Sequence, residues 1–269
     1  MEMVHLRHAA FILTYHGKRI LVDPMLAPKG KNPPIPGTPR PRRNPLVELP
    51  MGEKALAGCL DGLDAVLVTH THKDHYDAEA ASLLRKNLLL FGQPEDMARF
   101  LGDGFSAPRI VPMDKDGGLV WKGIQILRTS GQHGLGRTEL GPVSGFILKA
   151  PDEPVVYITG DTVWCPEVAG ALDRHTPEIV IAFAGAARFL DRRRITMDLC
   201  HLGRILRRLP EAMLVAVHME ALNHCLLTRA QVREWADKEG FGNRVLIPED
   251  GEALECKSDA PRLVRGAPL

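Results

Sequence analysis

Ala65-Val-Leu-Val-Thr-His70-Thr-His72-Lys-Asp74-His75-Tyr-Asp77 is the stretch that decides how this chain is read. Ala65–Val68 is a short, wholly apolar run, the pattern of a strand buried on both faces. It empties into His70, His72, Asp74 and His75, four metal-competent side chains within six residues. In an extended segment His70 and His72, two apart, project to the same side. Asp74 and His75 come after the strand, where the chain is free to turn back towards the same point. Borderline divalent cations take imidazole nitrogen and carboxylate oxygen at short fixed distances. The spacing is that of a metal site rather than of a polar loop with incidental histidines.

Outside this stretch, 269 residues that are 45% hydrophobic can bury a large core and form one sizeable α/β domain over residues 1–269. A formal net charge of +1 gives no global field for nucleic acid or an anionic membrane. Cys59, Cys165, Cys200, Cys225 and Cys256 are scattered and odd in number, which points to a reducing compartment rather than a disulfide frame. The N-terminus is too charged for a signal peptide, and no apolar run reaches the ~20 residues that span a bilayer. A soluble cytoplasmic protein is expected, with a homo-oligomer left open.

Phe11–Tyr15 and Arg19–Val22 flank His16-Gly17-Lys18 and read as a hairpin. Residues 28–50 hold eight prolines and five Lys or Arg, with no acid before Glu48, so neither a helix nor a central strand is expected there. This Pro-rich loop is either a surface or subunit-contact arm or a lid over the metal site. Leu88–Phe91, Ile124–Arg128, Gly145–Lys149, Val155–Thr159, Ile179–Ala182 and Leu214–Val217 read as strands. Helices are expected from Asp77 as a cap through Arg85, over Pro94–Leu101, over Thr196–Leu209 and over Thr228–Gly240, the last with a capping-box start. Strands lead and helices follow, twice over, which is an α/β pattern.

His-x-His-x-Asp-His after an apolar strand resembles the signature of the metallo-β-lactamase-fold hydrolase superfamily. The resemblance implies a four-layer αβ/βα sandwich of two mixed β-sheets flanked by helices. It also implies a further His, a bridging acid and a last His, each at a later strand end. His133 follows Ile126–Thr129 in a glycine-flanked turn, and Asp161 closes Val155–Gly160. For the last ligand Leu214–Val217 offers two histidines, His218 directly after the strand and His224 six residues later. The assignment carried over is His70, His72 and His133 on one metal, Asp74, His75 and His218 on a second, and Asp161 between them. Superfamily β-lactamases commonly carry cysteine at the bridging position, so Asp161 weighs against an antibiotic-degrading role. Arg7-His8-Ala9-Ala10-Phe11 followed by Ile20–Pro24 is similar to the opening of the branch that includes L-ascorbate-6-phosphate lactonase. That similarity implies His8 near the metals, and Asp23 as a buttress rather than a ligand. Glu220 and Asn223 are placed to orient the two late rings.

The expected activity is hydrolysis by a dinuclear centre with a metal-bound hydroxide, with zinc, manganese or iron as the metal. Asp74, His224 or His8 would handle protons or substrate; no other cofactor is called for. A small lactone or other carboxylic ester is the leading substrate. A small phosphate diester is the alternative, and a catalytically idle metal-binding protein is the alternative of another class. Lys29, Lys31, Arg40, Arg42, Arg43 and Arg188 are basic groups that could receive an anionic substrate.

Overall fold

A computed structural model describes residues 1–113, 117–136, 138–191, 193–257 and 262–266. Among them, β1 (Glu2–Arg7), β2 (Ala10–Tyr15) and β3 (Lys18–Val22) form an antiparallel meander, which β4 (Ala65–Leu67), β5 (Leu89–Gly92) and β6 (Ile110–Pro112) extend in parallel. β7 (Gly118–Trp121), β8 (Ile124–Ser130), β9 (Ser144–Lys149) and β10 (Val156–Ile158) are successively antiparallel. β11 (Ile179–Phe183), β12 (Met213–Val217) and β13 (Val245–Leu246) then continue that second sheet in parallel. β14 (Ala253–Lys257) and β15 (Arg262–Arg265) return to the first sheet beside β1. The sheets therefore run β15-β14-β1-β2-β3-β4-β5-β6 and β13-β12-β11-β10-β9-β8-β7, both mixed.

The apolar runs are continuous because both faces of the central strands are covered. In β11, Ile179, Ile181 and Phe183 face the other sheet, while Val180 and Ala182 face the helices. β12 repeats this with Met213, Val215 and Val217 inward and Leu214 and Ala216 outward. Outside the first sheet lie α1 (Glu53–Asp61), α2 (Ala78–Leu83) and α3 (Met97–Gly102), which bury Leu56, Leu60, Ala80 and Phe100. Outside the second lie α4 (Pro166–His175), α5 (Leu199–Arg208) and α6 (Arg229–Lys238), which bury Val168, Leu172, Leu202, Ile205 and Val232. Each fully buried Leu, Ile, Val or Phe contributes about 1.5–3 kcal/mol, and three such layers hold the sandwich together. The expected αβ/βα architecture is the observed one.

Element ends differ from the sequence reading in instructive places. The helix expected from Thr196 starts at Leu199, because the Asp198 side chain accepts the backbone N–H of His201 and caps it. Thr196 is instead used in a loop, where its hydroxyl accepts the Ala187 N–H at 2.8 Å. The helix expected through Arg85 ends at Leu83; Asp77 caps it as anticipated, accepting the Ala80 N–H at 2.7 Å. At Pro94 the first turn is a 3₁₀ turn over Pro94–Asp96, and the α-helix begins only at Met97. The capping box of Thr228 and Gln231 forms as expected.

Candidate metal centre

Strand ends deliver the candidate residues to one place. β3 ends just before Asp23, β4 before His70 and His72, β8 before His133, β10 before Asp161 and β12 before His218. β3 and β4 run parallel, as do β10, β11 and β12, so their carboxyl ends gather along one edge, where α/β sheets bind ligands. Gly160 makes the approach to Asp161 possible: its φ is +65°, and a Cβ there would collide with the Ser144 carbonyl oxygen. Three non-glycine residues of the centre, His8, Asp23 and His218, also sit in the left-handed region, at φ 61°, 42° and 70°. Such conformations persist only where surrounding contacts impose them, and they cluster at functional sites.

All seven side chains expected to hold metal converge. His70 Nε2 and His133 Nε2 lie 3.0 and 3.3 Å from His72 Nδ1. His75 Nε2 and His218 Nε2 are 3.2 Å apart and approach Asp161 at 3.2 and 3.0 Å. Asp161 also reaches towards His133 Nε2 at 3.7 Å, so its carboxylate lies between the two histidine groups. Asp74 faces His75, His218, His224 and His8 at 3.8, 4.0, 3.9 and 3.5 Å. Both late histidines are therefore present, with His218 among the converging nitrogens and His224 set beyond Asp74. His8 is fully buried and lies against the His218 ring, tilted by 38° with 3.7 Å between centroids, and both its ring nitrogens lack a hydrogen bond.

The tautomers can be read from the partners. His133 Nδ1 faces the Ile195 carbonyl at 2.9 Å and His75 Nδ1 faces the Asp23 carboxylate at 2.8 Å, so both carry their proton there. Thr69 donates its hydroxyl to Asp23 at 2.7 Å, which leaves that oxygen to accept from His70 Nδ1 at 3.0 Å. Hence His70 and His133 turn bare Nε2 lone pairs towards the same nitrogen of His72. A proton on His72 Nδ1 can satisfy only one of them well. A cation placed among the three would satisfy all of them, and this donor set fits a divalent metal.

Ionisation tells the same story. Burial would push the His75 imidazole down, but Asp161, Asp74 and Asp23 outweigh it and hold its pKa well above the usual value. Burial likewise opposes charge on Asp161, yet His218 and His75 hold its carboxyl well below the carboxylate range. Asp74 is held low in spite of its burial by His75, His8 and His224. Burial, with neighbouring His75 and His72, pushes His70 well down, and burial lowers His133. Asp161, Asp74 and Asp23 thus favour positive charge at the His75 position.

Several contributors were not visible in sequence. Thr69 links Asp23 to His70, and adjacency to the motif was its only signal. Phe183 stacks on both His75 and His218, at 5.7 and 5.5 Å between ring centres. Gly185 lies where any side chain would strike the His218 carbonyl oxygen. Glu220 and Asn223 do not orient the late rings as expected. Glu220 accepts the Arg229 N–H at 2.9 Å and pairs with its guanidinium. Asn223 turns to the Pro-rich loop, whose residues 32–36 and Asn44 form one wall of a cavity of about 310 Å³. His72, Asp74, His133, Asp161 and His224 form its floor, and Met25, Leu140, Phe189, Ile195 and Leu222 complete it. Lys73 reaches this cavity, whereas Lys29, Lys31, Arg40, Arg42, Arg43 and Arg188 are not among its walls. Arg43 is instead spent on the Gly30 and Lys31 carbonyls, both at 2.7 Å.

The chain is similar to known proteins over nearly its whole length. Residues 18–219 match the Beta-lactamase superfamily domain. The UPF0173 protein YddR of Bacillus subtilis is 37% identical over 258 residues, spanning 94% of this chain and 99% of the relative. A UPF0173 metal-dependent hydrolase of Azorhizobium caulinodans is 26% identical over 276 residues, 95% of this chain and 100% of the relative. Among solved structures, the isothiocyanate hydrolase from Delia radicum gut bacteria is 38% identical, with a TM-score of 0.88 over 95% of this chain and 99% of that one. A possible metal-dependent hydrolase from Veillonella parvula is 35% identical, with a TM-score of 0.89 over 94% and 98%. The chain belongs to the β-lactamase superfamily and is one of its metal-dependent hydrolases.

Proposed function

We propose that this protein uses a dinuclear metal centre to hydrolyse a small, uncharged, largely apolar molecule at an electrophilic carbon. The observation that carries this reading is the cavity: metal-competent His and Asp groups form its floor, and Pro33, Pro34, Ile35, Pro36, Leu140, Phe189 and Leu222 line it. An isothiocyanate is the first candidate substrate, because a 38% identical structure is an isothiocyanate hydrolase. A lactone or other carboxylic ester presents the same kind of carbon and is the second. A phosphate diester ranks behind both, since among the described residues Lys73 is the single Lys or Arg on the cavity wall. Pockets of this size and character take compact apolar ligands fixed by a few polar groups.

His70, His72 and His133 would hold one ion, Asp74, His75 and His218 the other, with Asp161 shared. When bound, two divalent ions supply a water acidified towards neutrality and polarise the electrophile. The protein's own residues do the rest. Asp23, directly on His75 and through Thr69 on His70, sets the tautomers that leave Nε2 free. His224, whose pKa burial lowers to about 4, is a neutral imidazole at pH 7 and presents an N–H to the bound molecule. Its Nε2, 3.9 Å from Asp74 Oδ2, is the ring nitrogen that would serve a departing amine or alcohol. The apolar wall excludes competing water from the reacting carbon. For an isothiocyanate, one water adds and the C–N bond breaks, giving a primary amine and carbonyl sulfide.

Zinc is the first metal to test, then manganese and iron. Five free cysteines support a reducing cytoplasmic setting. Residues 1–269 would form one catalytic domain. The test is turnover by metal-loaded protein of an aralkyl isothiocyanate, a lactone, a neutral aryl ester and a phosphate diester. Hydrolysis of the neutral carbon electrophiles with little or none of the diester is expected. Preference for the diester would overturn the reading.

A further inference from the structure

Backbone bonds tie the Pro-rich loop to its surroundings at Leu46 N–H to the Ala221 carbonyl and Leu190 N–H to the Gly37 carbonyl, both at 2.8 Å, and one side chain adds a dense cluster of bonds between them. Asn223 is fully buried, directly before His224 in sequence, and its amide bonds almost entirely to residues 35–44. Its Nδ2 donates to Thr38 Oγ1 at 2.5 Å, to the Arg40 carbonyl at 2.8 Å and to the Ile35 carbonyl at 3.3 Å. Its Oδ1 accepts from Asn44 Nδ2 at 2.7 Å and from the Ile35 N–H at 3.2 Å. The Asn223 backbone N–H donates to Asn44 Oδ1 at 2.9 Å, so the two asparagines bond reciprocally. Asn44 in turn closes the neck of the loop through two backbone bonds with Asn32, at 2.7 and 2.9 Å. Below the loop, Ile35 packs on a small apolar cluster with Met25, Ile195, Leu222 and Phe189.

The sequence has no helix or sheet to hold residues 28–50, since eight prolines remove backbone donors. Around Ile35 and Thr38, between the backbone bonds at Gly37 and Leu46, the Asn223 amide fixes where Ile35 and its neighbouring prolines stand relative to the metal-site floor. We propose that Asn223 is a positioning residue for substrate specificity. It sets the distance between the apolar wall at Pro33–Pro36 and the catalytic floor, and thereby selects molecules whose apolar group reaches that wall. This rests on the reading of the centre as a hydrolase of small apolar electrophiles.

The test uses full-length, metal-loaded protein and a homologous series of substrates whose apolar group grows from methyl to phenylethyl. In the wild type, each methylene buried against the wall should raise kcat/KM by about four-fold. Asn223→Ala should flatten that gain to about two-fold or less by raising KM for the long members, with kcat for the methyl substrate and metal content unchanged. Ile35→Ala, which keeps the amide bonds but shortens the wall, should likewise flatten the gain along the series, as should Thr38→Val in milder form. These two variants carry the test if Asn223→Ala does not fold. Tryptic cleavage after Arg42 or Arg43 provides a readout independent of activity, and should quicken at least ten-fold in Asn223→Ala and stay at the wild-type rate in Ile35→Ala. An unchanged cleavage rate, or KM raised equally for short and long substrates, would overturn the role of Asn223. A wild type with no gain along the series would instead overturn the apolar-substrate reading while leaving the cleavage result intact.

Discussion

Replacing one oxygen of Asp23 by an amide nitrogen, in Asp23→Asn, tests how the histidines are prepared for metal. Asp23 is fully buried and accepts three bonds: Thr69 N–H at 2.7 Å, the Thr69 hydroxyl at 2.7 Å and His75 Nδ1–H at 2.8 Å. Asparagine tolerates the left-handed φ of 42° nearly as well as aspartate, so backbone strain changes little. Its carbonyl keeps the Thr69 N–H, and its amide nitrogen then stands against His75 Nδ1. Two donors cannot remain 2.8 Å apart, so the ring must move its proton to Nε2, the nitrogen turned towards Asp161 and His218. Losing one hydrogen bond to a charged group costs about 1.5–3 kcal/mol. At 1.36 kcal/mol per factor of ten, that is roughly 10–100-fold in metal affinity, the usual cost of removing an outer partner from a ligating histidine. The assay is competition with a chromophoric chelator, alongside urea unfolding of metal-free protein to confirm folding. Metal affinity within about two-fold of wild type in a folded Asp23→Asn protein would refute the tautomer argument.

Other outcomes follow from the same geometry. Since Asp161, Asp74 and Asp23 hold His75 protonated in the metal-free centre against its burial, metal binding at pH 7 should release a proton, read by calorimetry in buffers of different ionisation enthalpy; an enthalpy independent of buffer would contradict this. His224 has a folded pKa of about 4, below its unfolded value, so the unfolded state binds the proton first and metal-free stability falls as pH drops from 6.5 towards 4. His224→Gln should therefore lose about 2 kcal/mol less than wild type between pH 7.5 and pH 5 in urea titrations, and an equal loss would count against a neutral His224. Gly160→Ala should lower stability by about 3 kcal/mol and weaken metal binding, because the left-handed φ and the Ser144 carbonyl both oppose a Cβ; a fully stable variant would show that the Asp161 turn is not as tight as described.

Much of this site was legible because its determinants are local. His70, His72, Asp74 and His75 declare themselves by spacing after Ala65–Val68, and fully apolar runs mark β11 and β12 because both faces of each are covered. What was not legible depends on partners far away in sequence. Whether residues 28–50 formed a surface arm or part of the site could not be read from their prolines, because the answer lies in Asn223, almost 180 residues away from Asn44. Helix α1 escaped notice because Gly52 gives no side-chain cap and only Leu56 and Leu60 are buried. The true start of α5 was hidden because Thr196 and Asp198 are both competent caps, and only the bond from the His201 N–H to Asp198 decides between them. Spacing could not rank His218 against His224; in space His218 Nε2 lies 3.0 Å from Asp161 and 3.2 Å from His75 Nε2, whereas His224 lines the cavity, which is why the proposed second ion is given His218.

The proposed centre would hold two ions, with Asp161 serving both. Elemental analysis of purified wild type, His72→Ala and Asp161→Ala, each checked for native folding, tests it most directly. Two divalent ions per chain in the wild type are expected, with His72→Ala losing most of one and Asp161→Ala losing both. A folded wild type with one ion or none after metal loading, or a His72→Ala protein with unchanged metal content, would contradict the account.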